Sequence, residues 1–484
     1  MNFKRTLISF SMAAVFGTLS GTAAASGFAL IEQSASGMGN AFAGGAASAE
    51  DASTIFFNPA GMTLILDRQL VLAVHAIKPS ANFSDTGSTA ASAQALGGNG
   101  GDAGSLALVP NAYFAMEVNP KTHIGLGINA PFGLQTEYDS NWMGRFQAIK
   151  SKIETVNLNP SVSYDVNDSI SIGAGLNYQR ITGELSSAAN YAGGVYGAVY
   201  AGTVGAVGDS AAAALAGSAA TAVTVAGEGE GLSTVSGNDA AWGYNLGLLF
   251  RVSPQTRVGL AYRSTVKYTL SGTVAFSANR PSAAILTPAL SGLGGSAAAT
   301  AAAVEAGIAA KTANGAVTLP ISMPDSFSLS GFHQMNDKWD VMADVTWTGW
   351  SVLQQLKVDY ANGSPLLTVD EKWKDTWRIS AGTSYRYNEQ WKARAGIAFD
   401  QSPVSDSHRT ARIPDNDRTW LTVGGQYKLS KESAVDFGYA HLFVKDSTIS
   451  DVQNLPLQGK ANGNLIGTYK NSVDILSAQY AHSF

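Results

Sequence analysis

The sequence predicts an all-β protein: a transmembrane antiparallel β-barrel of about fourteen strands, with an N-terminal plug folded into its lumen. Three observations predict it. Runs of about ten residues alternate apolar with polar side chains, as strands with one face in lipid and the other in water must. Six short polar connectors separate such runs, as hairpin turns do. Beyond residue 25, no apolar run reaches the roughly twenty residues of a spanning helix. Ala211 to Ala226 comes nearest and is interrupted by Gly217, Ser218, Thr221 and Thr224. A closed barrel is then the remaining structure that satisfies every backbone hydrogen bond in lipid.

Residues 1–25 need no fold. Lys4 and Arg5 precede an apolar run from Leu7 to Leu19 and the small triplet Ala23-Ala24-Ala25, a secretory signal cleaved before Ser26. Outside the cytoplasm, a 484-residue chain with no cysteine has no disulfide to reinforce it. Its 31 basic and 36 acidic residues nearly balance, which excludes a nucleic-acid partner.

Residues 26–67 form the plug. Gly27-Phe28 opens it, Ser34 to Gly39 and Ala43-Gly44-Gly45 bend it, and Phe56-Phe57-Asn58-Pro59-Ala60-Gly61 closes it. Small residues let a backbone lie flat against a wall, and Asn-Pro fixes a turn where the chain reverses. Phe28, Phe56 and Phe57 are anchors that a disordered Gly/Ala linker would not carry.

The barrel follows, over residues 68–484. Its turns are Asn119-Pro120-Lys121, Val166-Asn167-Asp168, Ser253-Pro254-Gln255, Met335-Asn336-Asp337, Tyr387-Asn388-Glu389 and Leu429-Ser430-Lys431. Six hairpins supply twelve strands; a first from about Arg68 and a last ending at Phe484 complete an even number. Val258, Leu260, Tyr262, Val266, Tyr268 and Leu270 are expected on one face, with Arg263, Lys267 and Thr269 on the other. Trp339, Val341, Ala343, Val345 and Trp347 oppose Asp340 and Asp344, while Trp373, Trp377, Ile379, Ala381 and Tyr385 oppose Arg378 and Ser380. Aromatic residues at both ends of an apolar band, with charges on the other face, fit lipid outside and water inside. The last strand sets Leu476, Ala478, Tyr480 and the terminal Phe484 on one face.

Two connectors, 186–240 and 277–324, far exceed the usual loop length and are expected to be extracellular. Both are rich in Ala and Gly, so short helices with apolar faces are expected over the barrel mouth. A break is also expected in the third strand, where Asn129-Ala130-Pro131-Phe132-Gly133 interrupts the alternation of Ile124 to Ile128. Proline cannot donate to a ladder, and pairing must lapse around it.

The Gly27-Phe28 start, the Ser-Gly-Met-Gly run, Glu50-Asp51-Ala52 and Asn58-Pro59-Ala60 stand in the order of the FadL-type outer-membrane transporters (OMPP1/FadL/TodX family), which this chain resembles. Asp375 to Gly382, Gly396 to Val404 and Ile413 to Arg418 are similar too, so the resemblance spans most of the mature chain. It implies integral placement in the outer membrane of a Gram-negative bacterium, among outer-membrane lipid. It implies that residues 26–67 are the family's hatch, that Phe28 lines a ligand pocket, and that the break at Pro131 opens sideways into the bilayer. It also implies an outer groove for first docking, for which Ile285, Leu286, Leu290, Leu293, Val304 and Ile308 are the apolar candidates. The terminal Phe484 resembles the signal read by the barrel-assembly machinery. The two Ala/Gly-rich loops depart most from the family.

The implied function is passive, gated uptake of long-chain fatty acids. An aromatic or alkane hydrocarbon by the same route is the alternative substrate, and a general aqueous porin the alternative class. A fatty-acid carboxylate needs an inward cation, best an Arg; Arg263, Lys267 and Arg378 have lumen parity, and Arg418 follows the Ile-Pro-Asp-Asn turn. No enzyme is expected, because Asp406-Ser407-His408 are sequence neighbours without triad geometry. No metal or cofactor is expected either: the other histidines, His75, His123, His333, His441 and His482, form no ligand-spaced cluster.

Overall fold

The computed structural model describes residues 27–277, 279–452 and 462–484. The expected signal and Ser26 lie outside the described residues. Strand segments join in one sheet whose first and last members pair, Gln69 opposite Ser483, and the sheet thereby closes. Where two segments continue one another across a break they count as one strand, which makes fourteen wall strands among the described residues, and a further hairpin, Gln355–Tyr360 with Pro365–Asp370, joins the same sheet beside Val317 and Thr318.

The strands are β1 (Arg68–Asp85), β2 (Ala107–Asn119), β3 (Thr122–Asn129, then Gly133–Glu137), β4 (Lys150–Asn167) and β5 (Ile170–Ala189). Next come β6 (Gly231–Ser253), β7 (Thr256–Arg263, then Val266–Phe276), β8 (Gly315–Met323, then Ser326–Gln334) and β9 (Trp339–Thr348). The last are β10 (Thr376–Arg386), β11 (Trp391–Asp400), β12 (Arg418–Lys428), β13 (Ser433–Val444, then Ser447–Asp451) and β14 (Leu465–Ser483). All six expected hairpin turns join consecutive strands at one end.

Through the membrane zone the expected alternation holds. Trp339, Val341, Trp377, Ile379, Ile397, Phe399, Leu421 and Phe437 are exposed on the outer wall, while Asp340, Asp344, Arg378, Arg394 and Asp436 are buried within. One expectation fails at β7. Ser264 inserts an extra residue, its N–H bonding the Tyr244 carbonyl at 2.9 Å, and a one-residue bulge exchanges the two faces of a strand. Val258, Leu260 and Tyr262 therefore face outward, but Tyr268 and Leu270 face inward and Lys267 is exposed outside, not in the lumen. β8 makes the same exchange across Pro324-Asp325, and β3 across Ala130 to Phe132. Trp373 is a second correction: it precedes β10 and is buried inside the barrel.

The long connectors are shorter than expected, because β5 continues to Ala189 and β6 begins at Gly231, while β7 continues to Phe276 and β8 begins at Gly315. What remains is helical: α1 (Tyr191–Val207), α2 (Asp209–Val225), α3 (Ala283–Ala289) and α4 (Ala297–Lys311). Alanine and glycine let these helices approach closely, so Leu286, Leu290, Val304 and Ile308 are buried against Val195, Val199 and Val223, with Ile285 and Leu293 half-buried at the edge. Of the six residues expected to line an outer groove, four are instead the interior of a helical cluster and two lie at its edge. The helical stretch Ser291–Lys311 is long and apolar enough to cross a membrane by length and composition, and one face of it, Ala297, Ala301, Val304 and Ile308, is buried in this cluster.

Candidate functional site

Residues 27–65 lie inside the barrel, in short helical turns at Ala35–Met38, Gly45–Ser48, Thr54–Phe57 and Pro59–Leu64. The wall receives them on glycines. A Cβ on Gly259 would fall 1.9 Å from the Ala46 carbonyl oxygen, and one on Gly396 would fall 2.3 Å from the Asn40 carbonyl carbon. Asn58, Pro59, Ala60 and Gly61 form the tightest contact. The Asn58 side chain accepts from the Ala60 N–H at 3.0 Å and donates to the carbonyls of Ala46 at 2.6 Å and Leu248 at 3.1 Å. Pro59 supplies the fixed φ that starts the helical turn, and Gly61 sits where a Cβ would meet Thr54.

Charges lock the same end. Glu50 is paired with both Lys392 and Arg394, and Arg394 also bonds Asp436 at 2.7 Å. Asp51 accepts from Ser36 at 2.6 Å and from Gln479 at 2.8 Å, and the Ser48 carbonyl accepts from Arg257 at 2.8 Å. Removing one partner of a buried, hydrogen-bonded pair such as Arg394–Asp436 costs about 3–5 kcal/mol.

The other end of the segment is held differently. Leu30 N–H donates to the Pro131 carbonyl at 2.8 Å and Gly133 N–H donates to the Phe28 carbonyl at 2.9 Å, so residues 28–30 lie along the broken part of β3 as a short antiparallel strand. They occupy a real lapse. The β2–β3 ladder stops at Ala112 opposite Ile128, although β2 continues to Ala107 along β1. On the β4 side, Asn129 pairs with Asn157 and Gly133 with Glu154, so three residues of β3 oppose two of β4. The Phe132 N–H donates to the Thr155 hydroxyl at 2.9 Å while its carbonyl accepts from the Thr155 N–H at 3.2 Å, and Gln33 donates its side-chain amide to the Ala130 carbonyl at 3.0 Å.

Phe28 is fully buried in an aromatic cluster, 4.8 Å from Trp350, 5.5 Å from Trp373 and 6.1 Å from Phe132 between ring centroids. Gly27 must be glycine here: its φ is +60°, and a Cβ would lie 2.8 Å from Trp373 and 2.9 Å from Trp350. Its N–H donates to Asp415 at 3.1 Å. Above the cluster lies an apolar cavity of about 500 Å³ between Ile153, Ile181, Leu270, Leu319, Ile321 and Leu356. Below it is a chamber of about 1070 Å³, bounded by Leu30, Phe42, Phe56 and Phe57, by Pro131 and Phe132 of the break, and by Arg263, Asp344, Trp350, Arg378 and Asp400. Small-molecule sites share this character, apolar with a few convergent polar groups.

The four expected cations have separate fates. Arg378 lines the chamber, donates one bond to the Ala41 carbonyl at 2.8 Å and leaves Nε and Nη1 without a partner. Arg263 also lines it, but its guanidinium donates to Asn177 at 2.7 Å and to the Phe56 carbonyl at 2.8 Å. Arg418 is paired with Asp415, and Lys267 is outside the barrel. Sequence reasoning missed Trp350, Gln33 and Asp415. Trp350 follows directly on β9, where it reads as one more aromatic girdle residue. Glu371, in the connector before β10, is buried and accepts from the Trp373 indole N–H at 3.0 Å; burial pushes its carboxyl up to about 7, against the lowering effect of Trp373 and Arg412.

The sequence profile of the family described as outer membrane protein transport protein (OMPP1/FadL/TodX) matches residues 16–484. The long-chain fatty acid transport protein of Escherichia coli K12 is 31% identical over 473 residues, covering 97% of this chain and 99% of that one. The crystal structure of a Pseudomonas aeruginosa FadL homologue superposes with a TM-score of 0.77 at 24% identity, over 94% of this chain and 99% of that one. The Pseudomonas putida toluene transporter TodX superposes with a TM-score of 0.61 at 17% identity, over 94% and 99%. At those identities the two structures establish the fold.

Proposed function

This chain belongs to the outer membrane protein transport family (OMPP1/FadL/TodX), an integral outer-membrane β-barrel family, and from that premise we propose that it is a gated channel for long-chain fatty acids with lateral release at the β3 break. In this reading residues 26–67 are the hatch, and no catalytic step or cofactor is involved. Cargo passes from the upper apolar cavity, past the Phe28 cluster, into the chamber beneath. A hydrocarbon tail gains roughly 0.8 kcal/mol for each CH₂ taken from water, so filling the chamber is downhill and leaving it is the slow step.

The observation that carries lateral release is the unequal fastening of the hatch. Its lower end is held by Asn58, by the ion pairs of Glu50 to two cations of β11 and by hydrogen bonds from Gln479 and Arg257, whereas at the break two backbone hydrogen bonds, one from Gln33 and the packing of the Phe28 ring hold the segment. Displacing residues 28–30 opens the chamber toward the β2–β3 gap and leaves the floor intact. Phe484, at the end of β14, is available to the barrel-assembly machinery.

Fatty acid is favoured by Arg378, which lines the chamber and whose Nε and Nη1 have no partner. Asp344 and Asp400 beside it offset its charge, which favours the second substrate reading, a neutral aromatic or alkane hydrocarbon. Uptake in a host lacking its own transporter separates them. Oleate uptake is expected, with Arg378→Gln impairing oleate several-fold more than oleyl alcohol. Toluene uptake without oleate uptake would select the hydrocarbon reading, and steady ion conductance in a planar bilayer would select a porin.

A further inference from the structure

Two cations stand without a partner on the outer wall, at the level where the membrane ends. On β5 the outward residues run Leu176, Tyr178, Arg180, and opposite them on β6 stand Tyr244, Trp242 and Ala240, with Leu246 next below. Tyr178 and Trp242 are register partners with ring centroids 5.0 Å apart, and Trp242 is 65% exposed. Exposed aromatic residues at the end of an apolar strand face mark the edge of the hydrocarbon zone. Arg180 is the next outward residue beyond that edge. Lys267 flanks Trp242 from the other side: β6 and β7 are in register at Asn238 opposite Ser271 and again at Asn245 opposite Arg263, and Lys267 falls between these anchor points.

Both side chains are exposed, and among the described residues neither makes a hydrogen bond or an ion pair. The other charges nearby are engaged. Lys150 pairs with Glu184 at 3.1 Å, Lys152 with Glu154 at 2.9 Å, and the Asp239 carboxylate accepts from the backbone N–H groups of Thr269 and Ala240. Arg180 and Lys267 are thus a guanidinium and an ammonium on strands separated by one other and offset by two residues along them, roughly 12 Å apart by strand and residue spacing, with the Trp242 indole beside Lys267 and one outward position from Arg180. A guanidinium matches a phosphate bidentately, and an ammonium serves as a point charge.

We propose that Arg180, Lys267 and Trp242 form a docking surface for a phosphate-bearing lipid headgroup of the outer leaflet. The phosphates rest on the two cations, and the acyl chains run down over Trp242, Leu176 and Leu246. Charge complementarity and the position at the aromatic edge select this occupant. Arg180 pairs across the ladder with Val156, whose neighbour Thr155 holds Phe132, so the lipid sits one strand from the β3 break. The surface exists whether or not cargo leaves by that break.

The test is native mass spectrometry of the full chain released from nanodiscs of phosphatidylcholine doped with bis-phosphorylated lipid A, with dephosphorylated lipid A as the comparison. Wild type is expected to retain the phosphorylated form preferentially, and Arg180→Gln and Lys267→Gln are each expected to weaken retention roughly five-fold. Heat-modifiable mobility on gels reports whether the variants fold. Equal retention by a folded double variant, or no preference of wild type for the phosphorylated lipid, overturns the proposal. Should a variant fail to fold, the wild-type comparison alone decides.

Discussion

Deleting Pro131 should close the wall. Between Asn129 and Gly133 the third strand has three residues where β4 has two, and the surplus residue exchanges the faces: Asn129 is inward before the break, Leu134 after it. Removing one residue restores both the match and the alternation. Five residues of β2, Ala107 to Asn111, then have a partner strand in reach, where the β2–β3 ladder now ends at Ala112. About five ladder bonds would form and the two backbone bonds from residues 28–30 would be lost. At about 0.5–1.5 kcal/mol each, the net of three favours closure by roughly 1.5–4.5 kcal/mol. The variant should therefore fold at least as well as wild type. Uptake of labelled oleate by cells producing it, normalised to heat-modifiable barrel in the outer membrane, should fall at least ten-fold. Pro131→Val keeps the surplus residue and should lose less. Wild-type uptake in the deletion variant would refute lateral release.

Three other perturbations act on the gate and the floor. Gly259→Val places side-chain carbon where the Ala46 carbonyl now lies, so the lower hatch must lift; ion conductance in planar bilayers should appear, and none should be seen for wild type. Phe28→Ala removes a fully buried ring from the aromatic cluster at a cost of about 3–5 kcal/mol. Residues 27–30 should become protease-sensitive while the barrel stays heat-modifiable, and undiminished protection would argue against Phe28 as their anchor. Glu371 holds its proton up to about pH 7 in the folded connector but only to about 4.5 when exposed. Its contribution is therefore complete below pH 4.5 and lost as pH rises through 7, a difference of roughly 3 kcal/mol. Near-ultraviolet circular dichroism from the Trp350–Trp373 cluster should weaken above pH 7 in wild type and stay flat in Glu371→Gln.

What the sequence disclosed, and what it hid, follows from how far each signal reaches along the chain. Hairpin turns are local and chemically marked, so Asn-Pro-Lys at 119–121 and Ser-Pro-Gln at 253–255 were legible with their strands. The break at Pro131 was legible because proline announces itself. The equivalent break at Ser264-Thr265 was not: two ordinary strand formers conceal a bulge, and every side chain beyond it was assigned to the wrong face, Lys267 among them. Arg378 could be placed inward, but its two free N–H groups depend on Ala41, 337 residues away, satisfying only the third group. Trp350 and Trp373 carry the same difficulty, since an aromatic beside a strand end reads equally as girdle or as gate.

The three bulges share a consequence. β3, β7 and β8 exchange faces next to the chamber, Pro131, Arg263 and Pro324 all bordering it. On β7 and β8 the inward face is apolar above this level, with Leu270, Ile321 and Met323, and polar below it, with Arg263, Ser326 and Ser328. A nonpolar chain descending the lumen thus has favourable contacts down to the chamber and meets there a floor of hydrogen-bonded small residues and ion pairs, whose disruption removes buried partners and offers the chain nothing apolar in exchange. The β2–β3 gap leads from the same chamber toward a wall faced by Leu126 and Val156, both exposed to lipid. In the lateral-release reading, apolar surface lies behind the ligand and lipid beside it, so its free energy decreases sideways, and the bulges that shape the lumen also set where it turns.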